Sequence, residues 1–140
     1  MVIEFQTVGL TASEQSVVTR GFDEYSVEQG APAFEKEQVK WLFKNDDGTL
    51  QGALTADILW DWIYLDELWV SAERRGEGLG RALMQRAEAH ATSLALRGVW
   101  LWTQSWQAAE FYRQLGYEEF ARFDDFPRGH TRLGFRKTLN

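Results

Sequence analysis

Residues 74–83, Arg-Arg-Gly-Glu-Gly-Leu-Gly-Arg-Ala-Leu, put three glycines in five positions and run straight into a helical pattern. Glycine costs a helix about 1 kcal/mol against alanine. Such a stretch is useful only where the backbone needs positive φ or where something comes close to it. The flanks narrow the choice. Residues 62–70 are rich in β-formers and read as a strand. Beyond the glycines, Leu79, Leu83, Ala87, Ala91 and Leu94 form a buried stripe on a helix of about seventeen residues, with Gly98 as its stop signal. Residues 99–103, Val-Trp-Leu-Trp-Thr, are a short apolar strand of the kind buried on both faces. Strand, helix and strand in this order make a right-handed crossover with parallel strands.

The rest of the chain is organised around hairpins. Residues 2–8 alternate and predict a first strand. Thr11 and Glu14 form a capping box, so a helix follows to about Glu28, with Val17, Val18, Phe22 and Tyr25 on one face and Gly30 beyond its end. Residues 39–59 predict a hairpin turning at Asp47-Gly48, and Asp61 lies in the turn before the next strand. A short helix from about Trp106 to Leu115 ends at Gly116, and two strands at 117–123 and 131–139 close the chain. The expected order is β-α-β-β-β-α-β-α-β-β, a mixed-sheet α/β (α+β) fold. The chain has 140 residues, the size of one domain over 1–140.

Composition excludes several chemistries. There is no cysteine, hence no thiol nucleophile, disulfide or thiolate-bound metal. The two histidines, His90 and His130, are too far apart in sequence for a ligand motif, so no metal is expected. A net charge of −6 argues against nucleic acid as a partner. No signal pattern or membrane-length apolar run is present, so the expected compartment is the cytoplasm, with no membrane partner.

A loop between a strand and a helix is where an anion binds, because free N–H groups and the positive end of the helix dipole meet there. Arg74, Arg75 and Arg81 add charge. The dinucleotide fingerprint fails, since Arg81 stands at its sixth position, and a Walker loop fails, since Arg81-Ala82 follows the last glycine. What matches is R-x-x-G-x-G, as Arg75-Gly76-Glu77-Gly78-Leu79-Gly80. This resembles the acetyl-CoA pyrophosphate loop of the GNAT superfamily of N-acetyltransferases. Residues 65–76 resemble that family's strand leading into the loop, and residues 103–117, with Tyr112 before Leu-Gly-Tyr, its second signature.

The resemblance implies a mixed, mostly antiparallel twisted sheet with a central, splayed parallel strand pair and flanking helices. It implies acetyl-CoA as cosubstrate, held by the loop residues Arg75, Gly76, Glu77, Gly78, Leu79, Gly80 and Arg81 and by the backbone of Leu68, Trp69 and Val70. The Val70 N–H would be the oxyanion donor. Ser105 stands where many members carry Asn, which shortens any cofactor contact there. Tyr112 would protonate the leaving thiolate; a phenol has the chemistry for it.

For the base, Asp66 and Glu67 are neighbours in a strand and face opposite sides. Asp66 shares its face with Leu68 and Val70 if alternation holds, and is favoured; a bulge would exchange the two. His130 sits in a Gly-containing turn, as a surface histidine or at the acceptor site. Asp61, Asp66, Glu67, Asp124 and Asp125 would give the acceptor mouth a negative field. The leading expectation is transfer to a small amine. A protein N-terminus or lysine is the alternative acceptor, and a non-catalytic acyl-CoA-binding module is the alternative of another class. A homodimer is compatible with each.

Overall fold

The computed structural model describes residues 1–139 and divides into two compact units, Met1–Phe34 and the chain from Glu35 onward. The first unit holds helix α1 (Ala12–Glu28). Its capping box forms as expected: the Glu14 N–H donates to Thr11 Oγ1 at 3.2 Å and the Thr11 N–H to Glu14 Oε2 at 2.7 Å. Gly30, at φ +73°, follows its last turn. The strand expected at residues 2–8 is absent. Alternation makes a strand only where a ladder is available, and every strand of the sheet lies at or beyond Lys36.

The second unit is a six-stranded sheet. Its strands are β1 (Lys36–Lys44), β2 (Leu50–Leu59), β3 (Trp62–Val70), β4 (Gly98–Gln104), β5 (Glu118–Asp124) and β6 (Thr131–Thr138). The spatial order is β1-β2-β3-β4-β6-β5. Only the β3–β4 pair is parallel; the others are antiparallel. Helix α2 (Leu79–Ser93) connects the parallel pair, and a short helix α3 (Ala109–Gln114) follows β4. Both helices cover one face: Leu83, Met84, Ala87 and Ala91 of α2 and Tyr112 of α3 share a core with Leu54, Ile63, Leu65, Val99, Leu101 and Phe135. Fully burying a side chain such as Leu101 contributes about 1.5–3 kcal/mol. No helix is long and apolar enough to cross a membrane among the described residues.

Two further expectations change. β4 is not buried equally on both faces. Val99 and Leu101 are fully buried against the helices, while Trp100 and Trp102 are half-buried on the other face. There Trp100 meets Tyr64 at 4.5 Å and Trp102 meets Phe120 at 5.8 Å between ring centroids. The continuous apolar run therefore reflects an aromatic second face.

Gly98 does not stop α2. The helix ends earlier, and Leu94, placed in the stripe by its spacing, is exposed. Ala95 takes the left-handed position at φ +55°, and the Leu96 N–H returns to the Ala91 carbonyl at 2.9 Å while the Ala95 N–H reaches Thr92 at 3.0 Å. This is a Schellman closure with alanine in glycine's place. Gly98 is instead the first residue of β4, where a Cβ would collide with the Lys137 carbonyl and with Trp62 at 2.8 Å.

The two positions should therefore respond in opposite directions. Ala95→Gly relieves left-handed strain and should stabilise by about 0.5–1 kcal/mol net of the added unfolded-state entropy. Gly98→Ala should destabilise by about 1–3 kcal/mol through overpacking against backbone. Urea denaturation reads both; a destabilised Ala95→Gly variant would contradict the Schellman reading.

Candidate active site

β3 and β4 run as a parallel ladder from Trp62↔Gly98 to Leu65↔Leu101, and there the pairing stops. β3 nevertheless continues to Val70, and β4 to Gln104 with β6 still paired along it. On the other side of β3 the register slips at the same level: Glu67 pairs with Thr55, Leu65 pairs with Ala56, and Asp66 is the extra residue between them. A bulge of this kind bends and re-aims a strand. Here it lets β3 leave β4 while it stays paired to β2.

The splay opens a cleft of about 300 Å³ lined by Leu68, Trp69, Trp102, Thr103, Gln107 and Tyr112. Tyr112 is 5% exposed. Burial pushes its hydroxyl up to about 12 from the ordinary 10. The one buried side-chain N or O atom without a hydrogen-bond partner among the described residues is Gln104 Oε1. Tyr112 is among the residues that line the cleft.

The bulge also overturns the expected alternation. Leu68 packs against the same helix-side core as Ile63 and Leu65, and Val70 lies beside Gly80 of α2. Glu67 lies opposite Thr55, whose hydroxyl donates to Glu67 Oε1 at 3.3 Å. The Tyr64 hydroxyl is raised first by burial and then by the charge of Asp66. The Tyr64 ring lies against Trp100 on the face away from the helices. Both acids line a second hollow, of about 380 Å³, with Gln38, Lys40, Thr55 and Asp57. The cleft and this hollow meet at Asp66 and Glu67.

The glycine loop begins where β3 ends, through a 3-10 turn at Ala72–Arg74. Gly76 and Gly78 have φ of +81° and +82°, and a Cβ built on either meets no heavy atom within 4 Å. Their glycine is required by conformation, and the space above them is open. Gly78 is the N-cap of α2 and makes no side-chain cap, so the first N–H groups of the helix remain available. Gly80 differs: a Cβ there would lie 3.4 Å from Phe111 and 3.8 Å from Val70, so it serves close packing. The Leu79 side chain seats on Gly52, where a Cβ would stand 2.8 Å away.

The arginines divide. Arg74 donates to Asn45 Oδ1 at 2.7 Å, pairs with Glu77 at 3.5 Å and lies over the Phe43 ring. It fastens the loop to the β1–β2 hairpin rather than offering charge to a ligand. Arg75 donates from Nε to the Val70 carbonyl at 3.4 Å. Arg81 is exposed in the first turn of α2.

Other expected site residues are engaged elsewhere. The Ser105 hydroxyl accepts the Thr131 N–H at 3.2 Å, which ties the end of β4 to the start of β6. Asp61 precedes β3, at the opposite end of the strand from the bulge, with its carbonyl accepting the Arg97 N–H. It therefore does not belong to the mouth. Asp124 is held by Arg122 and Thr131, each at 3.1 Å, and Asp125 accepts the Gly129 N–H. The His130 ring lies 4.8 Å from Trp106. Residues not anticipated are Asp57, Thr103 and Gln107. Asp57 faces the hollow as a cross-strand partner of Tyr64, which strand alternation in β2 could have revealed.

This geometry agrees with what similarity shows. Residues 10–117 match the acetyltransferase (GNAT) family. The chain belongs to the GNAT acetyltransferase family. It is 41% identical over 85 residues to a blasticidin-S acetyltransferase of Streptomyces morookaense, covering 60% of this chain and 62% of that protein. The GNAT chain described here thus spans less than two thirds of that relative's length. An acetyltransferase structure from Bacillus cereus superposes with a TM-score of 0.82 at 28% identity, over 96% of this chain and 98% of that one. An aminoglycoside 6′-N-acetyltransferase solved with coenzyme A shares the fold at TM-score 0.67 and 17% identity, over 74% of each chain.

If the loop holds a pyrophosphate, Gly78→Asp should lower CoA affinity about tenfold or more, close to 1.4 kcal/mol. Gly78→Asn has the same shape without charge and tolerates the same left-handed φ. It should lose much less. Calorimetric titration with CoA checks both; equal affinities for the two variants would remove the loop from the phosphate site.

Proposed function

We propose that this GNAT chain is an acetyl-CoA-dependent N-acetyltransferase, acting as one domain over residues 1–140, that transfers the acetyl group to a small cationic amine. The observation that carries the reading is the meeting of the β3–β4 cleft with the acid-lined hollow at Asp66 and Glu67, with Tyr112 in the lining of the cleft. The family match, which runs through both units, supports the single-domain reading. The blasticidin-S relative and the aminoglycoside enzyme solved with coenzyme A, by their names, support a small acceptor and the cosubstrate.

The residues suit acetyl-CoA where it would lie. Gly76 and Gly78 leave the loop backbone bare, α2 adds its N-terminal N–H groups, and Arg81 adds charge. The unpaired side of Leu68, Trp69 and Val70 offers main-chain groups to an extended arm, with the Val70 N–H as oxyanion donor. Acetyl-CoA supplies an acyl carbon on a good leaving group. Glu67, re-aimed by the bulge and held by Thr55, takes a proton from the ammonium group; the neutral amine then attacks the acyl carbon, and the nitrogen gives up a second proton as the amide forms. Tyr112 returns a proton to the sulfur as the C–S bond breaks. The products are the N-acetylated amine, free CoA and one proton released to solvent. Glu67 replaces Asp66 as the favoured base because it is the residue seated opposite Thr55; Asp66 and Asp57 hold the cationic acceptor.

Acetyl-CoA turnover against cationic antibiotics, simple diamines, neutral arylamines and a peptide tests the reading. Tyr112→Phe should keep CoA affinity and lower kcat about 10²–10⁴-fold. Because burial holds the hydroxyl neutral to about pH 12, kcat should show no alkaline fall near pH 10 from loss of its proton. Glu67→Gln should cost more than Asp66→Asn, and most at low pH, where the amine is most protonated. CoA binding without turnover of any amine would make the chain a binding module. Preference for the peptide would move the acceptor to proteins.

A further inference from the structure

Tyr112 sits on a helix of six residues, too short to hold its own place. Its C-terminus closes on the residues that follow. The Tyr117 N–H donates to the Tyr112 carbonyl at 3.0 Å, and the Gly116 N–H to the Arg113 carbonyl at 3.0 Å, with Gly116 at φ +88°. This is a Schellman motif, in which Tyr117 and Tyr112 occupy the two positions whose side chains meet. Their rings do meet, edge to face, with centroids 5.9 Å apart. Tyr117 is thus bonded to Tyr112 through both backbone and ring.

Tyr117 is in turn held from outside α3. Its hydroxyl donates to Glu88 Oε1 at 3.0 Å. Lys137 donates to both oxygens of the same carboxylate, at 3.2 and 3.1 Å. Glu88 is largely shielded from solvent, and Lys137 Nζ also lies 5.7 Å from the centre of the Tyr117 ring. One carboxylate on α2 therefore gathers β6 and the C-cap of α3. Hydrogen bonds to a charged acceptor in such surroundings are among the stronger ones. Burial and Glu88 together keep the Tyr117 hydroxyl protonated well past the ordinary range for a phenol, so it donates throughout.

We infer that Glu88 is a positioning residue for acetyl transfer: acting through the Tyr117 hydroxyl, it fixes where the Tyr112 hydroxyl stands in the cleft. The inference rests on Tyr112 as the acid. Helix α2, with the glycine loop at its start, thereby also carries at Glu88 the anchor for Tyr112.

The experiment is a double-mutant comparison of kcat and of the KM for acetyl-CoA, with thermal unfolding as the folding control. Tyr117→Phe removes one hydroxyl and leaves the Glu88–Lys137 pair intact. It should lower kcat about tenfold, as small misplacements of reacting groups do, with KM unchanged. In a Tyr112→Phe background it should lower kcat no further, because both changes act on one group. Glu88→Ala should match Tyr117→Phe, and Glu88→Gln, which keeps an oxygen for the hydroxyl, should recover most of the rate. Equal losses from Tyr117→Phe in both backgrounds, or a wild-type kcat in folded Tyr117→Phe, would overturn the inference. So would a Glu88→Gln as slow as Glu88→Ala. A wild-type kcat in Tyr112→Phe alone would instead remove the acid reading itself.

Discussion

The ladder between β3 and β4 ends at Leu65↔Leu101 although both strands go on. Most of the site depends on that parting. A paired strand has no main-chain groups to offer; beyond Leu65, the side of β3 that faced β4 is out of the ladder, with the Val70 carbonyl taken by Arg75 Nε. Parting a strand from its neighbour inside a sheet is costly unless its other edge stays satisfied. The extra residue at Asp66 meets that condition by turning β3 while β2 still pairs with it from Glu67 to Val70. Cleft, acid placement and loop entry all follow from a single inserted residue.

The rest of the fold fastens the elements on either side of the gap. Gly52 lets Leu79 come down onto β2, and Gly80 lets the first turn of α2 lie against Val70 and Phe111. The glycine loop is thereby set at the end of the parted strand. Arg74 ties that loop to the hairpin tip through Asn45 and Phe43. Ser105 and Thr131 fasten β4 to β6 on the far side of the gap.

Local chemistry made much of this legible in the sequence. Thr11 and Glu14 announce a helix start because both partners of the capping box lie within four residues. The bounds of β3 follow from its β-branched and aromatic run, and Gly76 and Gly78 from the need for positive φ. What the sequence hid depends on partners distant in the chain. A bulge is a mismatch between two strands, and nothing in Leu-Asp-Glu-Leu marks which residue is the extra one, so strict alternation points to Asp66. Gly98 reads as a helix stop until the Lys137 backbone is seen beside it, and Ala95 can take the left-handed position because the Schellman bonds hold it there. Residues 2–8 carry a strand's pattern without a ladder to join, and Arg74 looks like a phosphate ligand until Asn45 claims it.

The central claim is that the free side of β3 beyond Leu65 receives the cosubstrate. Amide hydrogen exchange, followed residue by residue with and without saturating acetyl-CoA, tests it most directly. The account predicts that amides among Leu68, Trp69 and Val70 and in the loop from Gly76 to Gly80 slow markedly on binding, while Ile63 and Leu65, already in the ladder, do not change. Unchanged exchange across Leu68–Val70 in a protein saturated with acetyl-CoA would contradict it.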